Sequence, residues 1–499
     1  MKNVGKRIKR QGPLSTIVLL TIVIGIISFI LHLIKVGGYI TEAGSLETTL
    51  VSVKNIFSKD GIKYLLNNSV INMQLMKPLI YLIMSLISVS ILETSGYINH
   101  LVRFLRKVKP FWITMLTIFI SILLTFIGDY SYILLFPLVG SIYKILGRNP
   151  LLGMITVFIG VTIGGCGGIL FNYQDYLLSL TTIKSASNID INYNYGLWSN
   201  LYIMSVSTIV LTIVGTISIE KMLSKKFKRY DYEISVNISK RAFIFTNIVA
   251  LLMILFVVYA IIPGLPMSGM MLNNTETKYI AKLFGETSAF GNGLVLMITG
   301  ISVFCSFIYG RLSGNIRHRN DYTHLLTYSF ENTGYILVLM FFASIMLGLF
   351  EWSNIPSVVT VNIVDLIGGL NFNGTLLVII IFLAIVIISI LIPSTITKYN
   401  LVAPVFVPLL MRANINPVFT QAIFMGADAV GKCFSPIYLY LIIMIGFLYK
   451  QDQKVNTSIF DTMKLMMPVI LVLSATVFII VVGWYVIGLP IGIGSNITL

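Results

Sequence analysis

The stretch Ile387–Pro408, IISILIPSTITKYNLVAPVFVP, decides how this sequence is read. A long apolar run breaks in its middle, behind Pro393, into Ser394, Thr395, Thr397, Lys398 and Asn400, and then resumes. In a soluble domain such a break is a turn between two buried elements. In a bilayer an irregular polar turn survives only where protein or a water-filled cavity surrounds it, because lipid offers its backbone no hydrogen bonds. The meaning of the stretch therefore depends on the solvent of the whole chain.

Of the 499 residues, 56% are hydrophobic and only 11% are charged, against about 25% charged in a soluble domain. The mean hydropathy is +0.90. Apolar runs of roughly 20 residues recur from GPLSTIVLLTIVIGIISFILHLI to LMMPVILVLSATVFIIVVGWYVIGL, and each is long enough to cross the ~30 Å hydrocarbon core as a helix. The chain reads as an all-α polytopic membrane protein. Its first run is too long for a cleaved signal and lacks a small-residue cleavage site.

The net charge of +16 is not spread evenly: 24 of the 35 Lys and Arg fall in Lys2–Arg10, Arg103–Lys109, Lys144–Arg148, Lys221–Arg241, Arg311–Arg319 and Lys450–Lys464. Basic clusters between apolar runs mark cytoplasmic loops and meet anionic lipid headgroups; no nucleic-acid partner is implied. Cys166, Cys305 and Cys433 lie within apolar segments, and the four histidines are scattered, so neither a disulfide framework nor a metal centre is expected. No phosphate-binding glycine loop and no nucleophile–base set is present, so an enzyme is not expected and no cofactor is called for.

Placing the basic clusters inside threads the chain with a cytoplasmic N-terminus at a bacterial cell membrane. The expected path has a tail (1–12), span 1 (13–35), span 2 (73–94), hairpin 1 (110–146) and span 3 (151–180), the last broken at GGCGG and NYQD. Span 4 (198–218), span 5 (243–262), span 6 (290–309) and span 7 (333–350) follow. Hairpin 2 (374–411), span 8 (417–447), broken around Gly431–Pro436, and span 9 (467–488) complete it. The halves are then 13–220 and 290–499, joined by a linker, 221–289, that holds span 5. Loops at Ser45 and Asn274 fall outside the cell and the loop at Ser224 inside.

Sliding the chain on itself by 267 residues pairs 127–171 with 394–438 without a gap. Seven positions coincide: Tyr132/Tyr399, Leu134/Leu401, Pro137/Pro404, Asn149/Asn416, Pro150/Pro417, Gly164/Gly431 and Cys166/Cys433. Hairpin falls on hairpin and broken span on broken span, in opposite orientation. Inverted repeats with discontinuous helices at matching places point to a secondary transporter whose site lies between the repeats near the midplane. On that reading the polar break at Ser394 is a hairpin tip facing a buried site; the alternative is a turn that serves packing alone.

A charge at the bilayer centre costs about 2.5–3.5 kcal/mol on insertion scales and by default suggests function. The candidates are Asp129 at the tip of hairpin 1, Asp175 in span 3, and Asp428 with Lys432 in span 8. Asp428 and Lys432 share a helical face at i,i+4, either as a site or as a structural ion pair. Asp129 is either functional or solvated at its tip, and Asp175 either functional or close to the outer interface. A fixed ammonium one turn from Asp428 argues against sodium beside that carboxylate, since the two cations repel by roughly 4 kcal/mol at ~4 Å and an effective dielectric of 20. The coupling cation is then H+ or Na+, with any sodium near Asp129 or Asp175.

Several segments together resemble the p-aminobenzoyl-glutamate transporter (AbgT) family: ILETSGYINHLVRFL, GDYSYILLFPL, GRNPLLGMITVFIGV, FEWSN and STITKYNLVAPVFVPLLMRANINPVFTQAIFMGAD. The resemblance covers nearly the whole chain and implies nine spans plus two re-entrant hairpins in a homodimer. It also implies ion-driven uptake of aminobenzoyl-glutamate or export of sulfonamide-like antimetabolites. Carried over by position, it makes Asp175, Ser394, Pro417 and Asp428 site residues. This sequence departs from the family with Tyr399 for a tryptophan, Ser389 for an asparagine and Met425 for an arginine. Gly168 and Lys432 stand in place of two further asparagines. Thr395 and Asn400 complete the candidate tip. The resulting expectation is an ion-coupled transporter of a small organic anion or aromatic compound. A channel lined by the same broken helices is the rival reading, and a membrane-embedded enzyme a more distant one.

Overall fold

The computed structural model describes residues 12–44, 47–169, 173–196, 198–230, 236–285, 287–318, 321–369, 372–452 and 458–499. Lys2–Arg10, Ser45, Asn172, Arg319 and Lys454 lie outside the described residues. In chain order, α1 (Pro13–Leu33) leads to an antiparallel hairpin, β1 (Gly37–Thr41) and β2 (Thr48–Ser52), with Gly37 opposite Ser52. Then come α2 (Lys59–Gln74), α3 (Lys77–Thr94) and α4 (Tyr97–Leu101). Hairpin 1 is α5 (Pro110–Leu123), a 3-10 turn over Leu124–Ile127, the tip Gly128–Asp129, and α6 (Tyr130–Ile145). The first broken span is α7 (Pro150–Ile163) and α8 (Tyr173–Ala186), followed by α9 (Leu201–Ser218). Helices α10 (Lys240–Ile261), α11 (Tyr279–Phe284), α12 (Ala289–Ser313) and α13 (Asp321–Thr327) connect to α14 (Gly334–Trp352) and α15 (Ile355–Gly368). Hairpin 2 is α16 (Gly374–Leu391) and α17 (Thr395–Arg412). The second broken span is α18 (Pro417–Cys433) and α19 (Leu439–Gln451), and α20 (Ile459–Ile487) is the last helix.

Nine helical stretches among the described residues are long and apolar enough to cross a membrane. The number equals the expected one, but the membership differs. The first arms of both hairpins, Pro110–Ile127 and Gly374–Leu391, are among the nine, whereas the two broken spans are each divided into shorter helices. The expected span 2 falls on α3, which with α2 forms one apolar helical stretch, Lys59–Thr94, interrupted ahead of Pro78 in the first turn of α3. Helix α15 was not anticipated. Apolar side chains along the outside of α1, α10 and α12, such as Ile30, Leu252 and Leu296, are exposed on the protein surface, as suits helices whose solvent is lipid.

Two helices, by contrast, are buried on every side. All of α18 except Lys432 is buried, and so is all of α7 except Leu151. A helix enclosed all round is a core helix. Each is held by its own hairpin: α7 lies against α5 and α6, α18 lies against α16 and α17, and the two core helices meet each other. Both start the same way. Asn149 and Asn416 are N-caps whose side chains accept from Leu151 N and Val418 N at 3.0 Å, with Pro150 and Pro417 in the first helical turn. That turn needs no proline N–H, so the N-cap and the proline set the helix start at little cost.

The offset of 267 residues also carries a contact. A Cβ on Gly164 would lie 2.9 Å from Ile122 of α5, and one on Gly431 would lie 2.4 Å from Ser389 of α16. Ile122 and Ser389 are themselves separated by that offset. In each half a glycine lets the core helix touch the first arm of its hairpin. At tip 1, Gly128 has φ +64 and ψ −143, a conformation that glycine adopts without strain.

One member of a basic cluster has a different role from the one expected. Arg148, at the start of α7, pairs with Glu220 at 2.6 Å and donates to Thr114 Oγ1 at 2.7 Å and to the Pro110 carbonyl at 2.9 Å. This buried cation ties the entry of hairpin 1 to α7 and to the turn after α9.

Candidate functional site

The site is organised along one face of α18. Gln421 and Asp428 are seven residues apart on it, two helical turns or roughly 10 Å. Each anchors one polar cluster, and the first turns of α17 touch both.

The first cluster surrounds Asp175, in the first turn of α8. Its Oδ1 accepts from Gln421 Nε2 at 2.7 Å, Asn200 Nδ2 at 2.9 Å and Tyr195 Oη at 3.1 Å. Gln421 also donates to the Asp175 carbonyl at 3.0 Å and accepts from Thr182 Oγ1 at 2.5 Å. Thr182 in turn shares a 2.7 Å hydrogen bond with the Tyr399 hydroxyl of α17. Asp175 is 5% exposed, enclosed by protein on all sides. A carboxylate this deep needs its donors, and all three are neutral.

The second cluster surrounds Asp428. Its Oδ1 accepts from Lys398, while its Oδ2 accepts from Thr395 Oγ1 at 2.7 Å and pairs with Lys432 Nζ at 2.9 Å. Lys398 is wholly buried and donates a further bond to the Ile392 carbonyl at tip 2, at 2.9 Å. Lys432 also donates to Thr395 and faces the ring of Tyr438 at 5.9 Å. The i,i+4 pair read from the sequence is thus one edge of a triad with two ammonium groups and one carboxylate. The group carries one net positive charge in a buried place, where charge is costly unless paired and hydrogen-bonded.

The remaining expected site residues divide. Tyr399 is buried, its ring 4.4 Å from that of Phe424, whose other neighbour is the Lys398 ammonium at 5.8 Å. Asn400 is exposed and accepts from Thr181 at 2.7 Å, a second tie from α17 to α8. Ser394 is exposed at the tip, with its hydroxyl 2.9 Å from that of Thr397. Ser389 is buried against Gly431, and its hydroxyl has no partner among the described residues. Pro417 starts α18 and touches neither cluster through a polar group. Asp129 is not brought to either cluster: it is exposed at tip 1, beside Tyr440. From Tyr440 a tyrosine group leads inward. Tyr440 stacks on Tyr132 at 4.5 Å, and the Tyr132 hydroxyl bonds those of Tyr438 at 2.9 Å and Thr162 at 3.1 Å. Met425 and Ala422 line a small cavity beside α18 with Cys166, Asn200, Met204 and Val481. Gly168, in the break after α7, donates its N–H to Thr208 at 2.8 Å.

Two central residues, Lys398 and Gln421, were not among the candidates. Lys398 lies in the opening stretch, three residues after Thr395 on the same face of α17. Gln421 lies two turns before Asp428 on α18. Both periodicities are visible in the sequence. Tyr195 and Asn200 carry no such signal.

Comparison with known proteins places this architecture. The chain is 25% identical over 456 residues to the p-aminobenzoyl-glutamate transport protein of Escherichia coli K12, covering 89% of this chain and 87% of that one. The crystal structure of the Alcanivorax borkumensis YdaH transporter is similar with a TM-score of 0.51 at 23% identity, over 97% of this chain and 100% of that one. MtrF of Neisseria gonorrhoeae, described among antimetabolite efflux pumps, is similar with a TM-score of 0.50 at 24% identity, over 99% and 98% of the two chains. At these identities the two structures speak to the fold. The sequence profile of the AbgT transporter family matches residues 2–499. This multi-pass membrane protein is therefore a transporter, not an enzyme, and belongs to the AbgT family.

Proposed function

We propose that the protein is an ion-coupled secondary transporter of a small organic anion with an aromatic part, with p-aminobenzoyl-glutamate or a sulfonamide-like antimetabolite as its cargo. The names of its relatives supply p-aminobenzoyl-glutamate and antimetabolites, and the family resemblance implies the sulfonamide-like kind. The observation that carries the reading is the Lys398–Asp428–Lys432 triad, a buried group with net positive charge at the tip of hairpin 2. An anionic cargo complements that charge, and Tyr399, Phe424 and Tyr438 supply aromatic faces next to it. Through Tyr399, Thr182 and Gln421 the same hairpin connects to Asp175, so a movement of the tip alters the surroundings of both carboxylates. Inverted repeats, re-entrant hairpins, a cytoplasmic N-terminus in a bacterial cell membrane and a homodimer belong to this reading. The matching helix starts and glycine contacts of the two halves support the repeat.

Reconstituted into liposomes, the protein should accumulate labelled p-aminobenzoyl-glutamate or a sulfonamide against its gradient. It should do so under a proton or a sodium gradient imposed separately, and the sign of the gradient gives the direction of transport. Flux that only runs downhill and ignores both gradients would replace the transporter reading by a channel.

A further inference from the structure

Lys432 occupies the place a free cation would take. Its ammonium is held by Asp428 Oδ2 at 2.9 Å and by the Thr395 hydroxyl, under the ring face of Tyr438. Oxygen ligands of this kind hold a hard cation, and an aromatic face adds attraction. Lys432 also lies in the last turn of α18, where the partial negative charge of the helix end favours a positive group. We propose that this ammonium is a resident, covalently attached cation at the tip of hairpin 2, and that no sodium ion binds beside Asp428 in this protein. The inference deepens the ion-coupled reading and rests on it for its meaning in transport, but the binding it describes is measured without any flux.

The charge count makes the exchange specific. Lys398 takes Oδ1 of the carboxylate and Lys432 takes Oδ2, so both oxygens already face a cation. Without Lys432, Lys398 and Asp428 form a neutral pair, with Oδ2 and the Thr395 hydroxyl unclaimed by an ammonium. A sodium ion there returns the group to the net charge it now has. The Ser389 hydroxyl is buried without a partner among the described residues, and its residue packs against Gly431, the neighbour of Lys432. The Asp175 cluster offers no such lock, because all of its donors to the carboxylate are neutral. In this protein hairpin 2 is therefore held on α18 by Lys432, a side chain of α18 itself, whatever the sodium concentration.

The test reads tip 2 directly. Ile392→Cys is buried at the tip while the hairpin is closed, and its reaction with a maleimide, which needs the tip to open, is followed at that residue by peptide mass spectrometry, in sodium or in choline. With Lys432 present, sodium should leave the labelling rate unchanged. With Lys432→Asn added, sodium should slow labelling by about tenfold at ten times its dissociation constant, and adding Asp428→Asn should remove the effect. Two results would overturn the proposal. One is sodium protection with Lys432 in place that Asp428→Asn abolishes. The other is Lys432→Asn indifferent to sodium up to about 0.3 M, far above the millimolar affinities of weak oxygen-ligand cation sites. If Lys432→Asn does not fold, Lys432→Gln is read by the same criteria. A failure of substrate accumulation in liposomes would count against the transport reading and leave these labelling outcomes intact.

Discussion

Asp428→Asn is the change to which the triad should respond most sharply. The substitution keeps the shape of the side chain but removes the carboxylate that both lysines share. Lys398, with a side chain 0% exposed, is left with neutral acceptors only, the Ile392 carbonyl and an amide oxygen, while Lys432 is 12% exposed and has a route to water. Breaking a buried ion pair from one side costs about 3–5 kcal/mol, and here two cations lose the same partner. Adding Lys398→Met to Asp428→Asn removes the enclosed charge. It also leaves the Ile392 carbonyl without its donor, at about 1–3 kcal/mol, so about 2 kcal/mol should be regained. Adding Lys432→Met instead should regain less than about 1 kcal/mol, because the enclosed Lys398 still has no counter-charge. Lys432→Met by itself should be nearly neutral, since it leaves the Lys398–Asp428 pair whole. The assay is reversible unfolding in mixed micelles of dodecyl sulfate and a mild detergent, followed by fluorescence of the four tryptophans. Stability differences come from shifts of the midpoint at constant slope. The reasoning fails if Asp428→Asn is within about 1 kcal/mol of the parent, or if Lys432→Met rescues it as well as Lys398→Met does.

Gly431→Ala should destabilise the fold by about 1–3 kcal/mol, because its Cβ would meet Ser389 Cβ at 2.4 Å and the Val386 carbonyl at 2.6 Å. Gly165→Ala, whose Cβ would find only Ala429 at 3.9 Å, is the control and should stay within about 1 kcal/mol in the same unfolding assay. Gln421→Leu should strip Asp175 of its α18 donor and disconnect Thr182 from it. The expected outcome is loss of substrate accumulation in liposomes with unfolding shifted by about 1–3 kcal/mol, and unimpaired accumulation would remove Gln421 from the site. Single cysteines test the topology: Asn274→Cys should react with an impermeant maleimide added outside intact cells and Ser224→Cys should not. The reverse pattern would invert the membrane orientation drawn from the basic clusters.

Much of the fold was legible because lipid as a solvent allows few exceptions. Apolar length marks the spans, and each interruption of an apolar run has to be a break surrounded by protein or water rather than lipid. That is why Gly128–Asp129, the Pro393–Ser394 tip and the break after Gly431 were all found from residue type alone. Asn–Pro pairs at 149–150 and 416–417 are local capping signals and appear as such in the structure. The Asp428–Lys432 pair was legible for the same reason, since four residues on a helix are always neighbours. Less legible was which stretches are long single helices. Charge placement counts crossings, but it does not show that the first arms of the hairpins, Pro110–Ile127 and Gly374–Leu391, run on as continuous apolar stretches while spans 3 and 8 are each divided into shorter helices.

The sequence by itself therefore determined the solvent, the order of hairpins and broken helices along the chain, and the chemistry of the charged residues. Tertiary structure alone decided the partners. The contact between Gln421 and Asp175 joins residues 246 apart, and that between Lys398 and Asp428 joins residues 30 apart across the turn from α17 to α18. Neither spacing has a periodicity that a local rule can use. Only the packing of α17 and α8 around α18 brings these groups within hydrogen-bond reach. Burial then gives the pairing its force, because a carboxylate enclosed by protein must collect donors from whichever segments surround it.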